Sequence, residues 1–213
     1  TPRTLFPYTT LFRSINNNTR KLFTKVSVKN KIKTVGQILT GNNEKFLRFI
    51  WEVAEYDIGI NSKWLKLAKG GGYRKWYGNI NTIINWSEDA INHYRKDKIA
   101  RIIPEDYWYK EGITWTRMSS DEPNFRILLE NEVHDTAGSA FYVKNNEDYM
   151  NILALLNSVV SKYFLRILNP TLSSQLGDIE KIPYLLEDKN NINRLVLINI
   201  NLSRNDWDSF ETS

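Results

Sequence analysis

YMNILALLNSVVSKYFLRIL, residues 149–168, is the stretch on which the fold turns. Leu153, Leu156, Val160, Phe164 and Ile167 fall on one side at helical spacing, and Ser158, Lys162 and Arg166 mark a wet stripe four residues apart. The spacing predicts one long helix over 149–168, buried on its apolar side. Asn145-Asn146-Glu147-Asp148 just before it supplies caps and negative charge suited to a helix start, and Asn169-Pro170 stops it. Asn157, Ser158, Ser161 and Lys162 interrupt the apolar run, so it reads as a core helix and not as a membrane span.

Ahead of this helix the pattern changes period. Residues 112–118 (GITWTRM), 124–129 (NFRILL) and 139–143 (SAFYV) are rich in β-branched and aromatic residues and predict strands, with loops at 119–123 and 130–138. Residues 81–86 read as a further strand, and 87–98 as a short polar helix or loop. Residues 44–56 carry Phe46, Ile50, Val53 and Ala54 at spacings of three and four and predict a helix capped by Thr40-Gly41-Asn42-Asn43. Residues 25–29 (KVSVK) alternate and predict a strand inside a basic ribbon of Arg20, Lys21, Lys25, Lys29, Lys31 and Lys33. Residues 193–201 fit a strand or a helix equally. Strands and helices that do not alternate make the fold class α+β.

Composition narrows the chemistry. The chain has 213 residues, 41% hydrophobic and 13% aromatic, enough for a soluble globular core and too many rings for a disordered chain. It has no Cys, which excludes a disulfide scaffold, thiolate zinc sites and a cysteine nucleophile. His93 and His134 are its only histidines, so a multi-histidine metal centre is excluded too. No secretory signal is visible, so the expected compartment is the cytoplasm. Residues 4–14 (TLFPYTTLFRS) resemble the translated text of a sequencing adapter, so residues 1–14 are read as non-native. Arg3 and Arg13 are the charged residues there, and leaving them out takes the net charge from +5 to +3.

The most unusual stretch is 58–87. It holds Lys63, Lys66, Lys69, Arg74 and Lys75, no Asp or Glu before its final serine, and Trp64, Tyr73, Trp76, Tyr77 and Trp86. At its centre, 69–79 (KGGGYRKWYGN) sets cations and flat rings around a glycine turn. Cations that contact backbone phosphates release counterions, and Arg can read guanine edges. The competing reading is a solvated loop whose rings anchor it to the core. The glycines lack the Lys-Ser/Thr ending of a phosphate-cradling loop. Glu130, Glu132 and Asp135 read as solvated loop acids, His134-Asp135 lacks the other half of a metal dyad, and Glu187-Asp188-Lys189 is too short a match to carry weight.

Residues 40–53 (TGNNEKFLRFIWEV), 69–79, 109–116 (YKEGITWT), 135–143 (DTAGSAFYV), 151–184 (with LLNS, ILNPT and GDIEKIPY) and 206–213 (DWDSFETS) together carry a family resemblance. In this order they resemble the C-terminal target-recognition region of adenine-specific DNA methyltransferases, in particular the PglX-type enzymes of BREX phage-exclusion systems. The resemblance implies a recognition-type α+β domain over 15–213, truncated at both ends. It implies double-stranded DNA as partner, together with an upstream catalytic domain and further phage-defence proteins, and no membrane. S-adenosylmethionine would be the cofactor of the intact enzyme, bound outside this fragment, with no metal. Asn169-Pro170-Thr171-Leu172 is not the family's adenine-holding Asn-Pro-Pro-Tyr motif, so no catalytic residue carries over and the fragment alone is expected to be inactive. Lys69, Arg74 and Lys75 are the expected phosphate or base contacts, and Trp76 and Tyr77 position the loop. Arg117, Ser173, Ser174 and Gln175 are further candidates. A non-catalytic specificity subunit of a restriction system and a protein-interaction domain without DNA contact stay open; the absence of an internal repeat speaks against the former.

Overall fold

The structure, a computed structural model, describes residues 15–119, 122, 124–171, 173–184 and 189–210. The adapter-like residues 1–14 lie outside them, as do Leu172, Glu187, Asp188 and residues 211–213 of the last matching string. The described elements begin with α1 (Asn17–Leu22), α2 (Val28–Lys31), β1 (Ile32–Lys33), α3 (Asn43–Phe46), β2 (Leu47–Phe49), β3 (Trp64–Ala68), β4 (Thr82–Asn85) and α4 (Glu88–Lys96). They continue with β5 (Gly112–Trp115), β6 (Phe125–Leu128), β7 (Glu132–His134), β8 (Ala140–Val143), α5 (Tyr149–Asn157), α6 (Val159–Leu168), α7 (Leu176–Ile179) and α8 (Lys189–Trp207). The class is α+β.

The strands form two four-stranded sheets. The first runs β1-β8-β5-β6 and its pairings are antiparallel. The second runs β2-β4-β3-β7, with β7 parallel to β3. Each sheet has its own core. Ile113, Trp115, Phe125 and Phe141 of the first pack against Leu153, Leu156, Phe164, Ile179, Val196 and Ile200 from the helices that follow. Leu65, Leu67, Ile84 and Val133 of the second pack against Phe46, Ala90, Tyr94 and Ile103. The chain changes sheet twice in quick succession, from β6 to β7 and from β7 to β8. At this seam the Asp135 N–H donates to the Ala68 carbonyl at 3.2 Å, and Gly138 presses on the Ala68–Gly70 backbone.

Four expectations are corrected, three of them along the helices and the N-terminal part of the chain. Residues 149–168 form two helices bent by 69°, not one. Asn157 ends α5 because its carboxamide donates to the Phe125 carbonyl at 2.9 Å and accepts from the Phe125 N–H at 3.1 Å. Ser158 is extended and caps α6 by accepting from the Ser161 N–H. The bend leaves Val159, Val160 and Tyr163 exposed. Residues 44–56 are not a helix: α3 stops at Phe46, Leu47–Phe49 pair with β4, and two short 3-10 turns follow. Residues 25–29 are not a strand, since Ser27 opens α2 and the Val28 N–H is taken by the Ile182 carbonyl. Residues 189–207 settle the open case at 193–201 as helix. Among the described residues no single helix is long and apolar enough to cross a membrane.

Glu132 and His134, read from sequence as loop residues, are on strand β7 and are 3% and 0% exposed. Val133 faces the second core, so its two neighbours face the first sheet. Burial pushes the Glu132 carboxyl up to about 7, against the pull of its hydrogen bond from the Leu129 N–H and the charges of Lys66 and Arg126. Burial pushes His134 down to about 4, and neither ring nitrogen has a hydrogen-bond partner among the described residues. The two groups tilt stability in opposite directions. The raised Glu132 contributes most below pH ~4.5, its unfolded value, and that contribution is lost as pH rises through about 7. The depressed His134 contributes above pH ~6.5, and that is lost as pH falls through about 4. Glu132→Gln is therefore expected to raise stability at pH 8 by on the order of 2–3 kcal/mol and to add little at pH 5. Thermal unfolding at both pH values checks this; an unchanged pH slope would refute it.

Candidate nucleic-acid interface

The glycine turn after β3 holds its shape through backbone that other residues rarely adopt. Gly70 and Gly71 have φ of 84° and 131°, and a Cβ at Gly71 would lie 2.9 Å from the Asn79 side chain. Asn79 closes the turn by donating to the Gly72 carbonyl at 2.9 Å. Farther on, Trp76 has φ 72°, unusual for a bulky residue. Two bonds hold it there: its N–H donates to the Phe125 carbonyl at 2.8 Å, and its carbonyl accepts from the Ile127 N–H at 3.0 Å. The loop is thus laid along β6, the edge of the first sheet.

Arg126, missed in the sequence, fixes that arrangement. Its side chain is 1% exposed and donates to the Asn124 carboxamide at 2.6 Å, the Arg74 carbonyl at 3.2 Å and the Thr116 hydroxyl at 3.3 Å. Burial lowers its pKa to about 10, still well above neutral, so it stays charged. The signal for it was a lone cation inside an otherwise apolar strand (NFRILL).

The three expected cations of 69–79 each meet a carboxylate. Arg74 donates to Asp206 at 2.6 Å and lies over the Trp207 and Phe210 rings at 4.9 and 5.6 Å. Lys75 donates to the Asn157 carbonyl at 3.1 Å and sits 3.9 Å from Glu122, which also pairs with Lys162. Both therefore tie the loop to helices of the first core. Lys69 is 3.5 Å from Asp135, and both groups keep some contact with solvent. Of the two rings, Trp76 is half-buried against the first core. Tyr77 is buried, and Arg204 stands over its ring at 4.9 Å. Burial, followed by the charge of Asp208, pushes the Tyr77 phenol up.

The second group of candidates comes together with Lys69, not with Arg74. The Ala137 carbonyl lies 3.0 Å from where a Gly70 Cβ would stand and accepts from the Arg117 N–H at 2.9 Å. The Arg117 carbonyl in turn accepts from the Ser174 N–H at 2.9 Å. Buried Trp115 donates its indole N–H to the Ser174 carbonyl at 2.9 Å, pinning this loop to β5. Ser173 bridges to Met118, and Gln175 donates to the Ser173 hydroxyl at 2.8 Å. Arg117 is half-buried and carries no ion pair among the described residues. Backbone contacts thus bring together the segments that carry Lys69, Arg117, Ser173, Ser174 and Gln175, while Arg74 and Lys75 are bonded to residues of α8 and α5. Among the described residues no group of three His, Asp or Glu could hold a metal ion.

No family model matches the chain. Over 155 residues, 72% of the chain, it is 39% identical to the adenine-specific methyltransferase BrxX of Escherichia coli O9:H4 (strain HS). Over 189 residues, 82% of the chain, it is 33% identical to the adenine-specific methyltransferase PglX of Lacticaseibacillus casei (strain Zhang). The matches span 12% and 16% of the length of these relatives.

Proposed function

The chain is homologous to BrxX and PglX, two adenine-specific methyltransferases, and from that premise we propose that it is the DNA-recognition part of such an enzyme, acting in phage defence. The observation that carries this reading is the extent of the match, most of the chain against a small part of each relative. A piece of that size contributes to a larger enzyme whose substrate is duplex DNA. The parent enzyme would move a methyl group from S-adenosylmethionine to the exocyclic amine of adenine. The donor would need a glycine turn between a strand and a helix. Here the turn after β3 runs on through a loop to strand β4, so these residues do not fit it. The work of this part is to hold the duplex and select the base, which helps offset the few kcal/mol that unstacking an adenine costs.

Lys69 and Arg117 are the contacts with DNA phosphates or bases, and Ser173, Ser174 and Gln175 add hydrogen-bonding groups beside them. Lys69 has a weak, partly exposed pair that a phosphate can replace. Arg74 and Lys75 serve by holding the loop. Lys69→Ala with Arg117→Ala is expected to weaken binding of the 213-residue chain to duplex DNA. It should also reduce the slope of log affinity against log salt by about 2, one unit per lost phosphate contact. Fluorescence anisotropy at several salt concentrations measures both. Unaltered affinity and slope at low salt would rule out these contacts.

A further inference from the structure

A cleft of about 450 Å³ is lined by Trp51, Glu55, Lys66, Tyr77, Asn131 and Asp208 among others. Its volume falls in the roughly 300–1,000 Å³ range of small-ligand sites. Trp51 enters it as half of an exposed stack: the Phe49 and Trp51 rings are 4.6 Å apart and 5° from parallel, with 48% and 52% of each residue exposed. Parallel rings with an open outer face form a platform for a third flat group. The turn that follows β2 sets this geometry, because the Glu52 carboxylate accepts from the Phe49 N–H and closes the turn around Trp51.

The polar groups of the cleft are equally uncommitted. Lys66 lies on β3 and feels the buried carboxyl of Glu132, but makes no ion pair within 4.0 Å among the described residues. The Asn131 carbonyl accepts from the Lys66 N–H at 3.2 Å, which holds this residue at the cleft wall. Glu55 and Asp208 are exposed carboxylates. A ligand that satisfies this set is flat, offers N–H donors to carboxylates and carries an anionic group for the lysine.

We propose that this cleft receives a single unpaired DNA base bearing an exocyclic amine, stacked on the free face of Trp51. The proposal rests on the DNA-recognition reading above. Asp208 and Glu55 accept from the amine, and Lys66 meets the phosphate of the same nucleotide. Thymine has no exocyclic amine and is discriminated against.

Anisotropy titration of the full chain with three duplexes tests this: fully paired, with one bulged adenine, and with one bulged thymine. The adenine bulge is expected to bind about tenfold tighter than the paired duplex. Trp51→Ala should abolish that gain while leaving the paired duplex within about twofold, in keeping with base stacking as the source. Asp208→Ala combined with Glu55→Ala, which removes both acceptors, should remove the preference for adenine over thymine and keep the general gain from a bulge. Tyr56→Ser, at an 84% exposed ring outside the cleft, should change neither. Equal binding of bulged and paired duplexes, or an adenine preference that survives Trp51→Ala, would overturn the cleft assignment alone. Failure of all three duplexes to bind would overturn the DNA reading together with it.

Discussion

Gly138→Ala is expected to unfold the seam between the two sheets. A Cβ at Gly138 would stand 2.2 Å from the Ala68 oxygen, 2.5 Å from its carbon and 2.7 Å from the Gly70 nitrogen. All three are backbone atoms, so no side chain can swing aside. The 135–139 turn would have to lift off β3. That move strains the bond from the Asp135 N–H to Ala68 and the two from the Thr114 hydroxyl to the Gly138 and Ser139 carbonyls, at 3.1 and 3.0 Å. It also displaces Ala137, which positions Arg117. Overpacking of this kind costs about 1–3 kcal/mol where side chains can yield, and more where they cannot. Against a total stability of roughly 5–15 kcal/mol, the loss is a large fraction. Gly177→Ala is the matched control, because nothing lies within 4 Å of its added methyl. Urea unfolding of the two variants should separate them clearly; equal midpoints would contradict the close approach.

Asn157→Leu is expected to cost about 1–3 kcal/mol despite similar size. The leucine fills the space but leaves the buried Phe125 N–H without its acceptor at 3.1 Å and takes from the Phe125 carbonyl one of its two donors, at 2.9 Å. Unpaired buried polar groups pay their full desolvation cost, so the loss exceeds that of a simple hydrogen bond. The Phe125 carbonyl also accepts from Trp76, so the change should loosen the 69–79 loop. Hydrogen exchange at the Phe125 and Trp76 amides, followed alongside thermal unfolding, distinguishes this from a general loss of stability. Protection unchanged at both amides would show that Asn157 does not hold the loop.

What the sequence made legible was three of the four strands of the first sheet, together with β4 of the second at 81–86. Residues 112–118, 124–129 and 139–143 are dense in β-branched and aromatic side chains, and β5, β6 and β8 lie inside those bounds. The rest of the second sheet was harder to see. Strand β3 reads as a basic-aromatic loop because Lys66 interrupts its apolar run. Strand β7 is three residues long, with an acid and a histidine flanking one valine. Residues 44–56 satisfy helical spacing, yet Leu47–Phe49 pair with β4, a tertiary choice that local spacing cannot anticipate. At the candidate interface the cations were visible but their partners were not. Asp206 lies 132 residues beyond Arg74, and only folding brings them together.

The first sheet also fixes an order of events. Ile32 on β1 pairs with Val143 on β8, and Lys33 with Tyr142. During synthesis that edge stays unpaired until β8 has left the ribosome, and the parallel β3–β7 pairing must wait for Glu132 in the same way. Such distant pairings fold slowly, since the intervening chain must be gathered before the strands meet. The nascent N-terminal half therefore carries bare strand edges for much of its translation, the period in which a chaperone would be of most use to it.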